Sequence, residues 1–273
     1  MVPERGIRYG AEMAQIPFEG ATGMGPTTHF GFATVKTEAK AGLVRRVFDS
    51  VADSYDLMND LMSFGIHRLW KTAAIDVLDP RPGITCLDVA GGTGDMAFRI
   101  RGRLKKRGGT GRIIVADINA EMLRVGRDRA VDRGISDGLE WLVADAQALP
   151  LPDASVDAYT IAFGLRNVTD IAKALAEARR VLRPGGRFLC LEFSKVVVPV
   201  LERAYDAYSF TVLPALGRMV AHDPAAYRYL AESIRRFPAQ EDLARMMRDA
   251  GLSRVSWRNY SAGIVALHSG WRT

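Results

Sequence analysis

Apolar and polar positions alternate along the middle of the chain in the pattern of repeated strand–helix units. Short apolar runs predict strands at residues 84–89, 112–117, 139–144, 156–162 and 186–193. Helical stretches near residues 95–107, 120–133 and 169–182 separate these runs. Because strands that alternate with helices pair in parallel, the pattern predicts an α/β fold with helices on both faces of a sheet.

The segments before the alternating region have a different character. Residues 1–36 are rich in Gly, Pro and Thr without sustained periodicity, which predicts a poorly ordered or loosely docked arm. Residues 38–79 carry apolar side chains at helical spacing, among them Val44 and Phe48, and end at two prolines. We therefore expect a helical extension before the sheet, and a single domain over residues 37–273.

The segment after the fifth predicted strand is rich in aromatic residues. Within residues 194–238, Tyr205 and Tyr208 share one helical face with two aliphatic side chains. This face is either a stripe that packs on the core or the inner side of a helical lid over a hydrophobic substrate. A helix near 239–250 and an antiparallel hairpin of residues 253–260 and 262–268 end the chain.

The whole pattern predicts a Rossmann-like, mostly parallel sheet of seven strands that finishes in an antiparallel hairpin. That architecture is typical of class I methyltransferases and not of dehydrogenases.

A glycine-rich loop joins the first of the alternating strands to its helix. Gly91, Gly92 and Gly94 allow the backbone to turn tightly and to approach a ligand, at the strand end where α/β sheets bind nucleotides. The spacing Gly92-x-Gly94-x-x-Ala97 also fits the dinucleotide fingerprint, so NAD is the first ligand to consider.

The acids beside this loop favour a different ligand. Asp95 would place a carboxylate where a helix N-terminus binds pyrophosphate. S-adenosylmethionine (SAM) has no phosphate, and its sulfonium and amino groups favour the carboxylates Asp88 and Asp95 that bracket the loop. The alternative is that Asp88 only ends a strand and Asp95 only caps a helix.

Two further acids follow the next two predicted strands. Asp117 stands at about the distance after the glycines at which an acid binds ribose hydroxyls. Asp145 and Ala146 offer a carboxylate and a backbone N–H to an adenine edge. Any one of these acids is explained equally well as a turn residue, but three successive strand-end acids favour a nucleoside site.

Composition excludes several classes of protein. Cys86 and Cys190 lie in predicted buried strands and form neither a disulfide framework nor a metal-binding spacing, and the four histidines are scattered, so we expect no metal. No apolar run approaches the roughly 18 residues of a membrane span, and no apolar targeting segment follows the N-terminal charges. A cytoplasmic protein is therefore expected.

The net charge of +6 favours a polyanionic partner, either nucleic acid or an anionic membrane surface. Seven basic residues concentrate in 99–112 without an acid: Arg99, Arg101, Arg103, Lys105, Lys106, Arg107 and Arg112. A solvated helix face explains this stretch as well; if it has a function, a surface of anionic lipid would suit it.

Eight segments carry the motifs of a known family. They are Thr28–Phe32, Val47–Asp60, Leu87–Asp95, Ala116–Leu123, Phe163–Asp170, Leu191–Ser194, Tyr205–Phe210 and Tyr227–Ile234. In these segments the chain resembles the UbiE/COQ5 C-methyltransferases of ubiquinone and menaquinone biosynthesis. The Phe-Gly-Leu-Arg-Asn and Tyr-Arg-Tyr-Leu-Ala-Glu-Ser-Ile motifs are specific to that family. The resemblance implies SAM-dependent C-methylation of a polyprenylated quinol, either a benzoquinol, a demethylmenaquinol or both.

The resemblance also implies that Thr93, Asp117 and the pair Asp145-Ala146 contact SAM. Several family members have Ser where this chain has Ala162, and the missing hydroxyl would weaken binding by about 1 kcal/mol. The expected cofactor-binding set is Asp88, Gly91, Gly92, Thr93, Gly94, Asp117, Ile118, Met122, Asp145, Ala146 and Ala162.

Catalytic residues are expected mainly after the fourth strand of the alternation. Arg166 would stabilise a developing quinolate, electrostatically or through a water, while Asn167 orients the ring. Arg166 is a poor base because it stays protonated, and an ion pair with Asp170 is its alternative role. Three further candidates for a proton path are Tyr55, Tyr205 and Asp206.

The partners implied are the quinol, a weak peripheral contact with the inner face of the cytoplasmic membrane, and either a homo-oligomer or a quinone-biosynthesis complex. Two other functions are disfavoured. Amino-directed nucleic-acid methyltransferases place an Asp/Asn-Pro-Pro-aromatic motif where this chain has Phe163-Gly-Leu-Arg-Asn, and no RNA-binding module is visible, so no nucleic acid is expected. The intact glycine loop disfavours a non-catalytic nucleotide-binding subunit.

Overall fold

The structure is a computed structural model that describes residues 25–51, 60, 63, 65–198 and 224–273. Its strands are β1 (Thr27–Phe30), β2 (Ala33–Lys36), β3 (Thr85–Val89), β4 (Arg112–Asp117), β5 (Leu139–Val143), β6 (Val156–Ala162), β7 (Leu182–Phe193), β8 (Ser253–Tyr260) and β9 (Val265–Trp271). Its helices are α1 (Thr37–Val51), α2 (His67–Leu78), α3 (Asp95–Lys106), α4 (Ala120–Asp132), α5 (Ile171–Val181), α6 (Pro224–Arg236) and α7 (Gln240–Asp249). Short 3-10 turns lie at Leu165–Asn167 and Ser261–Gly263.

Seven strands form one sheet in the order β5-β4-β3-β6-β7-β9-β8. Strands β3 to β7 pair in parallel, while β9 runs antiparallel to both β7 and β8. This arrangement confirms the predicted fold class. The chain order reverses between β3 and β6, so the crevice at their carboxyl ends is the expected place for a ligand.

Helices cover both faces of the sheet. One face packs with α1, α2, α3 and α6 around residues such as Ile113 and Leu189. The other face packs with α5 and α7, where Leu175 and Met247 are fully buried. Burial on both faces explains why the central strands read as continuous apolar runs.

Two strands differ from their predicted bounds by more than one residue. Strand β7 begins at Leu182 and not at residue 186. The last strand covers 265–271 and not 262–268, because Ala262 and Gly263 have positive φ angles of 56° and 92° and form a turn. Left-handed backbone does not continue a strand.

The N-terminal segment is more ordered than its composition predicts. The prediction of a poorly ordered arm over residues 1–36 is wrong for residues 27–36, which form an antiparallel hairpin, β1–β2. Residues 1–24 lie outside the described residues. Each strand has only four residues, too few for a clear alternation to stand out. At the turn, Phe32 N donates to Glu232 Oε2 of α6 at 3.0 Å, so a distant contact holds the hairpin.

Among the described residues, the predicted helical extension contains α1 and α2, and the predicted lid is described only at residues 194–198 and from α6 onward. Within the described ranges, no helix is long and apolar enough to cross a membrane.

Candidate active site

A cavity of about 1050 Å³, counting open solvent at its mouth, lies at the carboxyl ends of β3, β4, β5 and β6. Ten of the eleven predicted cofactor-binding residues line it, and Gly94 is the exception. Asn167 lines it as well, whereas Arg166 does not. The structure thus brings residues from four successive strand ends to one cavity.

The glycine loop is pressed against its surroundings. A Cβ on Gly91 would lie 2.6 Å from Val115 Cγ1, and one on Gly94, whose φ is +82°, would lie 2.8 Å from the Trp141 ring. Met122 covers the loop at Gly92. Side chains at Gly91 or Gly94 would therefore displace the loop from the cavity wall.

Asp88 is the most perturbed acid of the site. Thr160 Oγ1 donates to Asp88 Oδ1 at 2.7 Å, but Asp88 Oδ2 has no hydrogen-bond partner although the side chain is only 1% exposed. Burial raises the pKa of Asp88 to about 7, with Thr160 opposing the shift. A buried acceptor without a donor is uncommon, and here it borders the cavity, where a ligand or water can supply the donor.

Asp117 is held by the backbone. Its Oδ2 accepts from Gly92 N at 2.9 Å and its Oδ1 from Asn119 N at 2.8 Å. Burial raises the pKa of Asp117 to about 6, and these N–H groups oppose that shift. The carboxylate is therefore tied to the glycine loop, with remaining lone pairs to accept from ligand hydroxyls.

Asp145 and Thr93 are also held by neighbours. Asp145 Oδ1 accepts from the backbone N of Gln147 at 2.9 Å, which shapes the turn after β5. The Thr93 hydroxyl accepts from Arg129 Nη1 at 3.1 Å. Ala162 presents only a methyl group at the cavity, so no hydroxyl is available there.

Asp95, the second acid that brackets the glycine loop, lines the cavity but is held by two cations. Lys71 Nζ donates to its Oδ2 at 2.9 Å and Arg99 Nε to its Oδ1 at 3.0 Å. Burial acts to raise the pKa of Asp95, but the two cations more than reverse this and lower it to about 2. Asp95 is thus neutralised by its partners, and Lys71 brings a buried cation to the cavity wall.

Sequence reasoning missed the part of the wall that α1 and α2 supply. Ala41, Val44, Arg45 and Phe48 of α1 line the cavity, as does Lys71 of α2. The sequence shows helical periodicity in this region, but periodicity does not show against which element the apolar face of a helix packs.

The ion pair of Arg166 differs from the one considered from the sequence. Arg166 Nη1 donates to Glu192 Oε1 at 2.7 Å and also to the carbonyl of Phe163, and both charged side chains are almost fully buried. Asp170 instead caps α5 by accepting from Lys173 N. Arg166 therefore braces the turn after β6 from behind the cavity wall.

Three of the predicted catalytic residues, Tyr55, Tyr205 and Asp206, lie outside the described residues.

The basic stretch 99–112 is largely paired. Its five ion pairs are Arg99–Asp95, Arg101–Asp137, Arg103–Asp76, Arg107–Asp79 and Arg112–Glu140. The acids in these pairs offset most of the positive charge of residues 99–112.

Comparison with known proteins identifies the family. The model of the ubiE/COQ5 methyltransferase family matches residues 34–272. The chain belongs to this family. The ubiquinone/menaquinone biosynthesis C-methyltransferase UbiE of Brucella anthropi is 56% identical over 255 residues, which cover 93% of this chain and 95% of the relative. The UbiE of Paracoccus denitrificans is 58% identical over 245 residues, covering 90% and 96%.

Solved structures confirm the fold. A SAM-dependent methyltransferase from Thermotoga maritima matches with a TM-score of 0.59 and 21% identity, covering 84% of this chain and 99% of that one. The CurJ carbon methyltransferase matches with a TM-score of 0.57 and 16% identity, covering 77% and 55%. Family and fold together identify this protein as a SAM-dependent methyltransferase, which confirms the preference for SAM over NAD.

Proposed function

We propose that this enzyme methylates a ring carbon of a polyprenylated quinol, with SAM as the donor, in ubiquinone biosynthesis, menaquinone biosynthesis or both. The observation that carries the proposal is the family match over residues 34–272, together with relatives that are named ubiquinone/menaquinone biosynthesis C-methyltransferases and are at least 55% identical. When bound, SAM supplies the methyl group of its sulfonium for transfer to a carbon nucleophile.

The described residues fit this donor. Asp117 would accept from the ribose hydroxyls, and Asp145 with the backbone of Ala146 would hold the adenine edge. The unpartnered Oδ2 of Asp88 would accept from the amino group, directly or through water. Lys71 provides a cation near the glycine loop for the carboxylate of the donor.

The acceptor carbon becomes a good nucleophile only when the neighbouring ring hydroxyl loses its proton. Asn167 lies on the cavity wall and would donate from its amide to that ring oxygen. Arg166 is a poor base and lies behind the wall with Glu192 as its counter-charge, so its contribution is to hold the Phe163–Asn167 turn and not to remove a proton.

The proton acceptors proposed are Tyr55, Tyr205 and Asp206. Apolar side chains of Val44, Phe48 and Phe163 would keep water away from the reacting atoms, and holding both reactants at near-attack distance supplies much of the acceleration.

A polyprenyl tail must reach the cavity from lipid, so we also propose weak peripheral contact of this cytoplasmic enzyme with the inner face of the membrane. Because the arginines of residues 99–112 are ion-paired, that stretch would contribute little charge to the contact. Flotation with anionic liposomes at low and high salt tests this membrane contact, and the absence of flotation in both conditions contradicts it.

Size-exclusion chromatography with light scattering tests the proposed oligomer or larger complex.

The deciding experiment is complementation of two strains, one lacking C-methylation in ubiquinone synthesis and one lacking demethylmenaquinone methylation, with quinone mass analysis. Restoration in one or both strains supports the proposal and identifies the ring. If neither strain recovers while the purified, folded enzyme methylates RNA with SAM, the proposal is wrong.

A further inference from the structure

The wall residue Asn167 is held from outside the sheet by α6. Tyr229 OH donates to Asn167 Oδ1 at 2.9 Å, and the tyrosine is only 4% exposed. Because the oxygen and nitrogen of the Asn167 amide diverge from Cγ within one plane, fixing the oxygen turns Nδ2 away from Tyr229. Asn167 itself borders the cavity, so this hydrogen bond restricts the orientation of its amide at the cavity wall.

Tyr229 is in turn held by the N-terminal hairpin. The ring of Phe30 in β1 stacks on the Tyr229 ring with centroids 4.2 Å apart and an interplanar angle of 20°. One helical turn further along α6, Glu232 accepts from Phe32 N at the tip of the hairpin. Gly31, at a φ of +57°, allows this approach, because a Cβ there would lie 2.3 Å from the Glu232 carboxylate.

The chemistry of Tyr229 suits a fixed donor. Burial raises the pKa of its phenol, so the hydroxyl keeps its proton at neutral pH. A buried tyrosine hydroxyl normally has a partner, and here the partner is a side chain on the wall of the active site.

We propose that Tyr229 is a positioning residue for methyl transfer: its hydroxyl holds the Asn167 amide with Nδ2 directed at the ring oxygen of the acceptor, and Phe30 holds Tyr229. This inference rests on the proposed function. It gives the β1–β2 hairpin a role in catalysis, although the hairpin supplies no residue to the cavity wall described above.

The test is Tyr229→Phe, which keeps the stacked ring and removes the hydroxyl. We expect kcat with a quinol to fall about fivefold, the effect of one ordinary hydrogen bond, while the Kd of S-adenosylhomocysteine from calorimetry stays within twofold. Phe30→Leu should lower kcat in the same direction. The matched control is Tyr260→Phe, which removes the hydroxyl of a half-buried tyrosine in β8 that does not line the cavity and should leave kcat unchanged.

Two further measurements separate positioning from simple stability. In an Asn167→Ala background, Tyr229→Phe should cause no additional loss of kcat. The side-chain amide signals of Asn167 in a ¹⁵N NMR spectrum, assigned by their absence in Asn167→Ala, should shift in Tyr229→Phe and not in Tyr260→Phe; this readout holds even if Asn167→Ala is inactive.

Unchanged kcat in Tyr229→Phe, an undiminished effect in the Asn167→Ala background, or an unmoved Asn167 amide signal would each overturn the inference. All three outcomes leave the proposed function standing. A wild-type enzyme that methylates no quinol would instead overturn the proposed function, so the two failures are distinguishable.

Discussion

Replacing Glu192 by glutamine leaves the Arg166 guanidinium buried without its counter-charge. Glu192 accepts from Arg166 Nη1 at 2.7 Å, from Arg166 N at 3.3 Å and from Phe193 N at 2.9 Å. The side chains of Arg166 and Glu192 are 2% and 1% exposed, so solvent cannot replace the lost charge. Glutamine keeps one acceptor oxygen, and the loss is therefore mainly electrostatic.

Breaking a buried ion pair from one side costs about 3–5 kcal/mol, and we expect Glu192→Gln to lower the free energy of unfolding by that amount. For a chain of this size the midpoint of thermal unfolding should fall by roughly 6–12 °C. Urea unfolding followed by circular dichroism measures the first quantity, and a thermal scan the second. Activity should fall as well, because the pair braces the turn that carries Asn167.

The matched control is Glu140→Gln, which breaks the pair with Arg112. That pair has two hydrogen bonds, at 2.7 and 2.8 Å, but both side chains are 52% exposed, so the loss should be under about 1 kcal/mol. Replacing both buried partners, with Arg166→Met and Glu192→Leu, should recover most of the stability. If Glu192→Gln costs no more than Glu140→Gln, the reasoning about this pair is wrong.

Three further outcomes follow from the site. Burial raises the pKa of Asp88 to about 7, so the folded enzyme without ligand binds the Asp88 proton more tightly than the unfolded chain does. Asp88 therefore contributes less to the free energy of unfolding as pH rises from about 4 to 7. SAM, which binds the ionised form, should bind up to about tenfold tighter at pH 8 than at pH 6 by calorimetry; an equal slope in Asp88→Asn would contradict this assignment. Gly94→Ala should lower the free energy of unfolding by about 2 kcal/mol, because Gly94 has a positive φ and lies against the Trp141 ring. Its control is Gly102→Ala, in open space on α3, which should raise that free energy by about 0.5–1 kcal/mol in the same urea assay. Lys71→Met should weaken SAM binding about tenfold and leave 5′-methylthioadenosine, which lacks the amino-acid carboxylate, unaffected; equal weakening of both ligands would remove Lys71 from the carboxylate site.

Much of the fold was predictable because its signals are local. Strands β4 and β6 have the predicted boundaries, since a strand buried on both faces requires an unbroken apolar run. The gathering of Asp88, Asp117 and Asp145 on one cavity followed from topology, because parallel strands end at the same edge of a sheet.

The partners of charged and polar side chains were not predictable in the same way. The sequence placed Asp95 beside the ligand, with helix capping as its alternative role, but Lys71 of α2 and Arg99 of its own helix neutralise it. It offered Asp170 as the partner of Arg166, four residues away, yet the buried partner is Glu192 on the adjacent strand β7. The Lys71–Asp95 and Arg166–Glu192 pairs form only when separate elements pack.

By itself, then, the order of residues determined the strand–helix alternation, the glycine loop, the acids at the strand ends and the family motifs, because each depends on near neighbours or on the direction of a strand. Only the tertiary structure decided which helices complete the cavity wall, which base joins Arg99 on Asp95, and that Phe30 supports Tyr229 and Tyr229 supports Asn167. Those contacts join residues far apart along the chain, and their geometry is set by packing that no local pattern encodes.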